Sequence, residues 1–145
     1  RINDNMARYA ARNVIRLMLK NGVDVARSTV GVMGITFKEN CPDIRNSKVL
    51  DLVREFESWG VTVIVSDPCA DREEVEQEYG ITLGAIDDTN RVDALVVAVG
   101  HQEFRELTPI ELKSLCRTDN PVVADLKSLY DRHAIARVGF TVFRL

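Results

Sequence analysis

The stretch from Phe37 to Ser47, F-K-E-N-C-P-D-I-R-N-S, is the part of the chain richest in side chains that could do chemistry. Lys38 brings a compact ammonium and Arg45 a planar fork of N–H donors, the two cation types that suit phosphate. Asp43, two residues before Arg45, is placed to hold that fork, and Pro42 stiffens the approach. Phe37 can cover a flat ring or pack inward. Ser47 stands where a helix N-cap is expected. Solvated loop charges are the plainer alternative for Lys38 and Arg45, and only position within the fold can decide against it.

Position follows from the elements around the loop. Thr29 to Ile35 is an apolar, β-rich run without alternation, the pattern of a strand covered on both faces. Similar runs occur at Val61 to Val65, Ala94 to Val99 and Val122 to Ala124, with a short one at Thr141 to Phe143 and a minor one at Ile81 to Leu83. Between them, helical periodicity fits Ser47 to Trp59, Asp71 to Tyr79, Pro109 to Cys116 and Asp131 to Arg137. A longer helix, 3 to about 21, opens the chain and stops at Asn21-Gly22. Strands alternating with helices imply an α/β fold: a Rossmann-like parallel sheet of five to six strands, helices on both faces, preceded by a long helix.

Ligands of open α/β sheets bind at the carboxyl ends of the strands. Those ends read Thr36-Phe37-Lys38, Asp67-Pro68, Gly100-His101 and Asp125-Leu126-Lys127, so two lysines, a histidine and two aspartates fall on one edge. The first connection lacks the G-x-G-x-x-G spacing of a dinucleotide cradle, having only Gly31 and Gly34 before Phe37. The helix is delayed by about ten residues of loop, longer than the usual two to six, and long loops at this edge tend to be functional. Asp67, where a dinucleotide-binding domain places its ribose acid, reads as a turn and cap once that fingerprint is missing. His101 reads as a structural histidine or as a partner for a substrate hydroxyl or acetamido group. His133, beside Arg132 at a helix start, reads as a surface residue.

Composition narrows the class. A chain of 145 residues, 46% hydrophobic and 28% charged, fits one α/β domain with a real core. No run nears the roughly 18 apolar residues of a membrane span, and the polar, arginine-rich opening is unlike a signal peptide. Helical periodicity already running at Arg1 gives the expectation of a chain cut from something longer. Cys41, Cys69 and Cys116 are odd in number and lack a C-x-x-C pair, so neither a disulfide framework nor structural zinc is expected, and a reducing cytoplasm is. Net charge is −3, yet the first 22 residues carry +4 and leave −7 for the rest, which argues against nucleic acid as partner. Arg8, Arg12, Arg16 and Lys20 form a stripe on the opening helix, either solvated or a subunit contact.

G-I-T-F-K-E-N-C-P-D-I-R-N-S, with R-I-N-D-N-M upstream, V-A-V-G-H-Q-E-F and D-L-K, resembles the UDP-glucose/GDP-mannose dehydrogenase family over essentially the whole chain. Within it the motifs are most similar to bacterial UDP-N-acetylglucosamine and UDP-N-acetylgalactosamine 6-dehydrogenases, which make uronic acids for surface polysaccharides. The resemblance implies that 1–24 ends a central dimerisation helix and that 25–145 is the carboxyl-terminal domain binding the UDP-sugar. It also implies a homodimer, and NAD held mainly by an amino-terminal domain outside this chain. Phe37 and Lys38 match an aromatic-lysine pair that contacts the nucleotide sugar, and Arg45 matches an arginine that reaches NAD. Lys127 sits where relatives carry a substrate-contacting Arg or Lys. UDP-glucose enzymes have Arg there, and Lys keeps the charge without the fork. Near His101 such enzymes have Thr, so no catalytic role transfers. The family's cysteine nucleophile lies upstream of Arg1, and none of the three cysteines here has its glycine-rich context. The fragment is therefore expected to be inactive alone. A receiver-like signalling module needs acids where Phe37-Lys38 stand, and a free-standing NAD domain needs the missing glycines.

Overall fold

The computed structural model describes residues 3–145. Arg1 and Ile2, where the segment 1–24 and the R-I-N-D-N-M motif begin, lie outside the described residues. Helix α1, Asp4–Lys20, is capped by Asn3, whose side chain accepts the Met6 N–H at 2.9 Å, and it ends at Asn21 and the left-handed Gly22. Ala7, Ala10, Ala11, Val14, Ile15 and Met18 recur at helical spacing and are wholly buried. No helix among the described residues is long and apolar enough to cross a membrane.

Five parallel strands follow: β1 Thr29–Met33, β2 Thr62–Ser66, β3 Ala94–Val97, β4 Val122–Asp125 and β5 Thr141–Phe143. They lie in the order β2-β1-β3-β4-β5. Side chains alternate across the strands, so each face has its own core. Val30, Val32, Ala94, Val96, Val122 and Ala124 pack with α1 and with helix α2, Val49–Ser58. Leu95, Val97 and Val123 pack on the other face. There they meet Phe104 of α4 (Gln102–Arg105), Leu112 of α5 (Pro109–Ser114) and Ile135 of α6 (Arg132–Arg137). Helix α3, Arg72–Tyr79, adds Val75 to the first core. The segment separated above as 1–24 thus shares, over its described residues, one core with the sheet.

Local chemistry sets the helix bounds. Asp71 and Asp131 accept N–H groups at the starts of α3 and α6, at 3.1 and 2.8 Å. Thr108 and Glu111 form a reciprocal capping box ahead of Pro109. Two details differ from expectation. Ile81 to Leu83 forms no strand: beside β2 the backbone contributes one bond, from the Gly84 N–H to the Val65 carbonyl at 2.8 Å. Helix α4 has four residues, too few to show a period.

The chain leaves β1 toward β2 on one side and later fills β3 on the other, so the order reverses between β1 and β3. The crevice beyond their carboxyl ends is the binding position of open α/β sheets. Gly34 makes the exit from β1 possible. It has φ +103, and a Cβ there would lie 2.6 Å from the Val99 Cβ.

Candidate functional site

A cavity of about 250 Å3 opens at that crevice. Thr36 to Glu39 wall it after β1, Asn46 to Val49 at the start of α2, Ala98 and Val99 beyond β3, and Lys127 beyond β4. Of the five residues expected to bind substrate or cofactor, Phe37, Lys38 and Lys127 meet here. Lys48, which the sequence reading left out, is a third lysine in the same wall. Lys38 is exposed, while Phe37, Lys48 and Lys127 are half-buried. Glu39 is the one acid among the lining residues, so the wall is net positive. Its sequence signal was weak, a place at the start of the helix that follows the loop, which many surface lysines share.

Backbone conformation marks the same edge. Among the described residues three non-glycines have left-handed φ: Asn40 at +56, Asn46 at +57 and Ser128 at +53. Two belong to the loop and the third follows Lys127. Such positions cost energy and cluster where geometry is imposed by function.

The far half of the loop is braced separately. The Phe37 N–H donates to the Asp43 carbonyl at 2.7 Å, which closes the loop on itself. The Tyr79 hydroxyl, at the end of α3, donates to the Ile44 carbonyl and accepts the Ser47 N–H at 3.4 Å. Ser47 is not the N-cap expected: Lys48 holds that position without a side-chain cap bond, and the Ser47 hydroxyl oxygen, one residue earlier, accepts the Val49 N–H at 3.3 Å. Asp43 grips Arg45 as expected: Nε lies 3.0 and 3.2 Å from its two oxygens and Nη2 2.8 Å from one. That fork and the Arg45 backbone N–H hold the Asp43 carboxyl down to about 2. Arg45 does not line the lysine cavity. It borders a second one, of about 540 Å3, with Asn46, Glu74, Glu78 and Tyr79.

His101 does not face the lysine cavity either. Its side chain is wholly buried, and it offers no surface to a substrate hydroxyl or acetamido group. The Nε2 atom lies 3.0 Å from Asp67 Oδ2 and 3.1 Å from Thr36 Oγ1. The Nδ1 atom accepts the Asn40 N–H at 2.9 Å, with Cys69 Sγ 3.5 Å away. A backbone N–H can only donate, so Nδ1 carries no proton and the ring is the Nε2–H tautomer.

Asp67 is more than the turn acid expected from sequence. Its Oδ1 does make the turn, accepting N–H groups of Cys69 and Ala70 at 2.8 and 3.0 Å. Its Oδ2 takes N–H groups of Ile35 and Thr36 at 2.7 and 3.3 Å, together with His101. Burial pushes this carboxyl up, but the bonds from His101, Ile35 and Cys69 outweigh it and leave it below the ordinary 3.8. Both oxygens are taken, so Asp67 has little left for a ribose.

Asp67, Cys69 and His101 have the residue types of a metal site, and their ligand atoms all lie within 4.8 Å of one another. The ring's one free lone pair, however, is used by Asn40, and the carboxylate is saturated. Burial also raises the Cys69 thiol. This cluster ties the loop together rather than offering ligands to an ion.

Residues 31–132 match the UDP binding domain of the UDP-glucose/GDP-mannose dehydrogenase family. The chain is 42% identical over 127 residues to UDP-N-acetyl-D-glucosamine 6-dehydrogenase of Salmonella typhi, covering 88% of this chain and 30% of that protein. To the protein CapL of Staphylococcus aureus it is 45% identical over 106 residues, covering 73% of this chain and 25% of CapL. The fold superposes on NDP-N-acetyl-D-galactosaminuronic acid dehydrogenase of Methanosarcina mazei Go1 with a TM-score of 0.87. Identity to that structure is 22%, covering 98% of this chain and 29% of that one. The chain thus spans less than a third of the length of each of these relatives.

Proposed function

The chain belongs to the UDP-glucose/GDP-mannose dehydrogenase family, and we propose that it is the nucleotide-sugar-binding end of an NAD-dependent UDP-N-acetylhexosamine 6-dehydrogenase. The reaction assigned to the whole protein is oxidation of the sugar C6 alcohol to a carboxylate, yielding a uronic acid for surface polysaccharide. The observation carrying this reading is the convergence of Lys38, Lys48 and Lys127 on one cavity at the strand-order reversal. Lysine ammonium groups in a half-enclosed wall suit the two negative phosphates of a nucleoside diphosphate. Phe37 gives the same wall a flat apolar face for a ring, and Lys38 and Lys127 reach phosphate or sugar from the carboxyl ends of two different strands.

The residues present do not build an NAD cradle. The glycine fingerprint is missing, and Asp67 is fully engaged by protein groups. NAD is therefore assigned to a domain outside this chain, with Arg45 as an outer contact; its side chain is 84% exposed. A cysteine nucleophile is assigned outside as well. Cys116 is buried, its thiol pushed up to about 12, and Cys69 is raised by burial, the reverse of what a thiolate nucleophile needs. The dimer is carried by the exposed side of α1, where Arg8, Arg12, Arg16 and Lys20 face outward beside Tyr9 and Leu19. Of these, Arg12 meets Glu55 at 3.3 Å.

Calorimetry separates this reading from a self-contained dinucleotide module. UDP is expected to bind the chain and NAD+ alone is not. Binding of NAD+ without any heat from UDP would overturn the assignment.

A further inference from the structure

Building on the UDP reading, we propose that His101 is a positioning residue for the cavity: as a neutral Nε2–H imidazole it fixes the near half of the loop, and with it Phe37 and Lys38. Three segments meet at this ring: the loop after β1, the turn after β2 and helix α4. Its Nε2–H is shared between Asp67 beyond β2 and the Thr36 hydroxyl oxygen beyond β1. The Thr36 hydroxyl has its own proton to give, and it donates to the Lys38 carbonyl at 2.9 Å. On the other side Nδ1 holds the Asn40 N–H, and the Asn40 side chain in turn accepts the Gln102 N–H at 2.8 Å. The ring packs against Phe104, centroids 5.4 Å apart, and has no exposed surface.

The ring acts because of where these bonds fall. Phe37 and Lys38 lie between Thr36 and Asn40, so both ends of the ligand-facing segment are anchored to one imidazole. Asn40 is held in the left-handed region at φ +56, which is unfavourable without restraint. Losing the Nδ1 acceptor frees it, and losing the Thr36 link frees the Lys38 carbonyl. A loop ordered before ligand arrives binds more tightly than one ordered on binding. His101 therefore contributes to phosphate recognition without touching phosphate.

The test compares wild type with His101→Gln, Thr36→Val and Thr36→Ser in the 145-residue chain. Imidazole nitrogen NMR should show the Nε2–H tautomer, and Asn40 should be protected from amide exchange. His101→Gln should expose Asn40 to exchange while central β1 and β3 amides stay protected, and should raise the Kd for UDP about tenfold. Thr36→Val should raise that Kd by several-fold, to about tenfold at most, and Thr36→Ser should restore it because the hydroxyl returns. A proton found on Nδ1 would overturn the proposal. So would freed Asn40 exchange in His101→Gln with UDP affinity within about twofold of wild type, or a Thr36→Ser variant as weak as Thr36→Val. Absence of UDP binding to wild type would bring down both this inference and the function it rests on. An unprotected Asn40 beside intact UDP binding would bring down the inference alone.

Discussion

Each end of the sheet places an aspartate against β1, and the two are satisfied in opposite ways. At the amino end Asp93 accepts the Thr29 N–H at 2.8 Å and is gripped by Arg117 at 2.6 and 2.9 Å. Burial there raises the carboxyl, but Arg117 and the Thr29 N–H more than offset it. At the carboxyl end Asp67 is held by four backbone N–H groups and a neutral imidazole. The first device matches charge with charge and leaves nothing over for a ligand. The second satisfies an acid without using a lysine or arginine, so Asp67 itself draws none of the lysines that line the cavity. A ligand edge needs that difference, because a cation already paired with a buried carboxylate is a poor phosphate donor.

Removing Asp67 should have the largest effect. Asp67→Ala leaves four backbone N–H groups without an acceptor in a closed site and His101 Nε2–H with Thr36 alone, and a loss of about 3–5 kcal/mol in unfolding free energy is expected. Urea denaturation measures it. A loss below about 1 kcal/mol would mean that water replaces the carboxylate and that the two edges are less different than their hydrogen bonds indicate.

Next in size is Lys38→Ala, which separates binding from stability. Lys38 is exposed, so unfolding should hardly change, while charge-assisted contacts to phosphate are worth about 1.5–3 kcal/mol. UDP affinity should therefore fall by about tenfold to a hundredfold. Asp93→Ala is the mirror case at the amino end. It should cost about 1–3 kcal/mol of stability by orphaning the Thr29 N–H and Arg117, and leave UDP binding where it was. An Asp93→Ala variant that folds normally yet binds UDP tenfold worse would show that the two edges are coupled through β1.

Much of the fold behind this contrast was legible in the sequence, for a physical reason. Buried parallel strands leave uninterrupted apolar runs, so β1 to β5 and the edge they end on could be read directly. Asp43 and Arg45, two residues apart, announced their pair. The His101 network could not be read that way. It joins Thr36, Asp67 and His101 across 31 to 65 positions, and only the alignment of three strand ends brings them together. Lys48 went unremarked because a lysine before a helix is common on any surface. Only the fold turns it toward Lys38 and Lys127.

Acid should expose the smallest difference. Asp43, Asp67 and Asp93 all have carboxyls lowered in the folded chain. A lowered folded value means that the unfolded chain takes up protons first. The stability these groups give is complete above the ordinary 3.8 and is lost as pH falls through the folded values. For Asp43 that window reaches down to about 2. Its pair with Arg45 is solvent-exposed, so the contribution to folding is small and screened by salt. The useful readout is therefore local: a carboxyl-carbon NMR titration of Asp43 should have its midpoint near 2 at low salt and move toward 3.8 as salt is added. Arg45 would then be a fork held in place yet easily released, which its proposed contact with a cofactor requires. A midpoint at 3.8 in low salt would instead mean that Asp43 does not orient Arg45 at all.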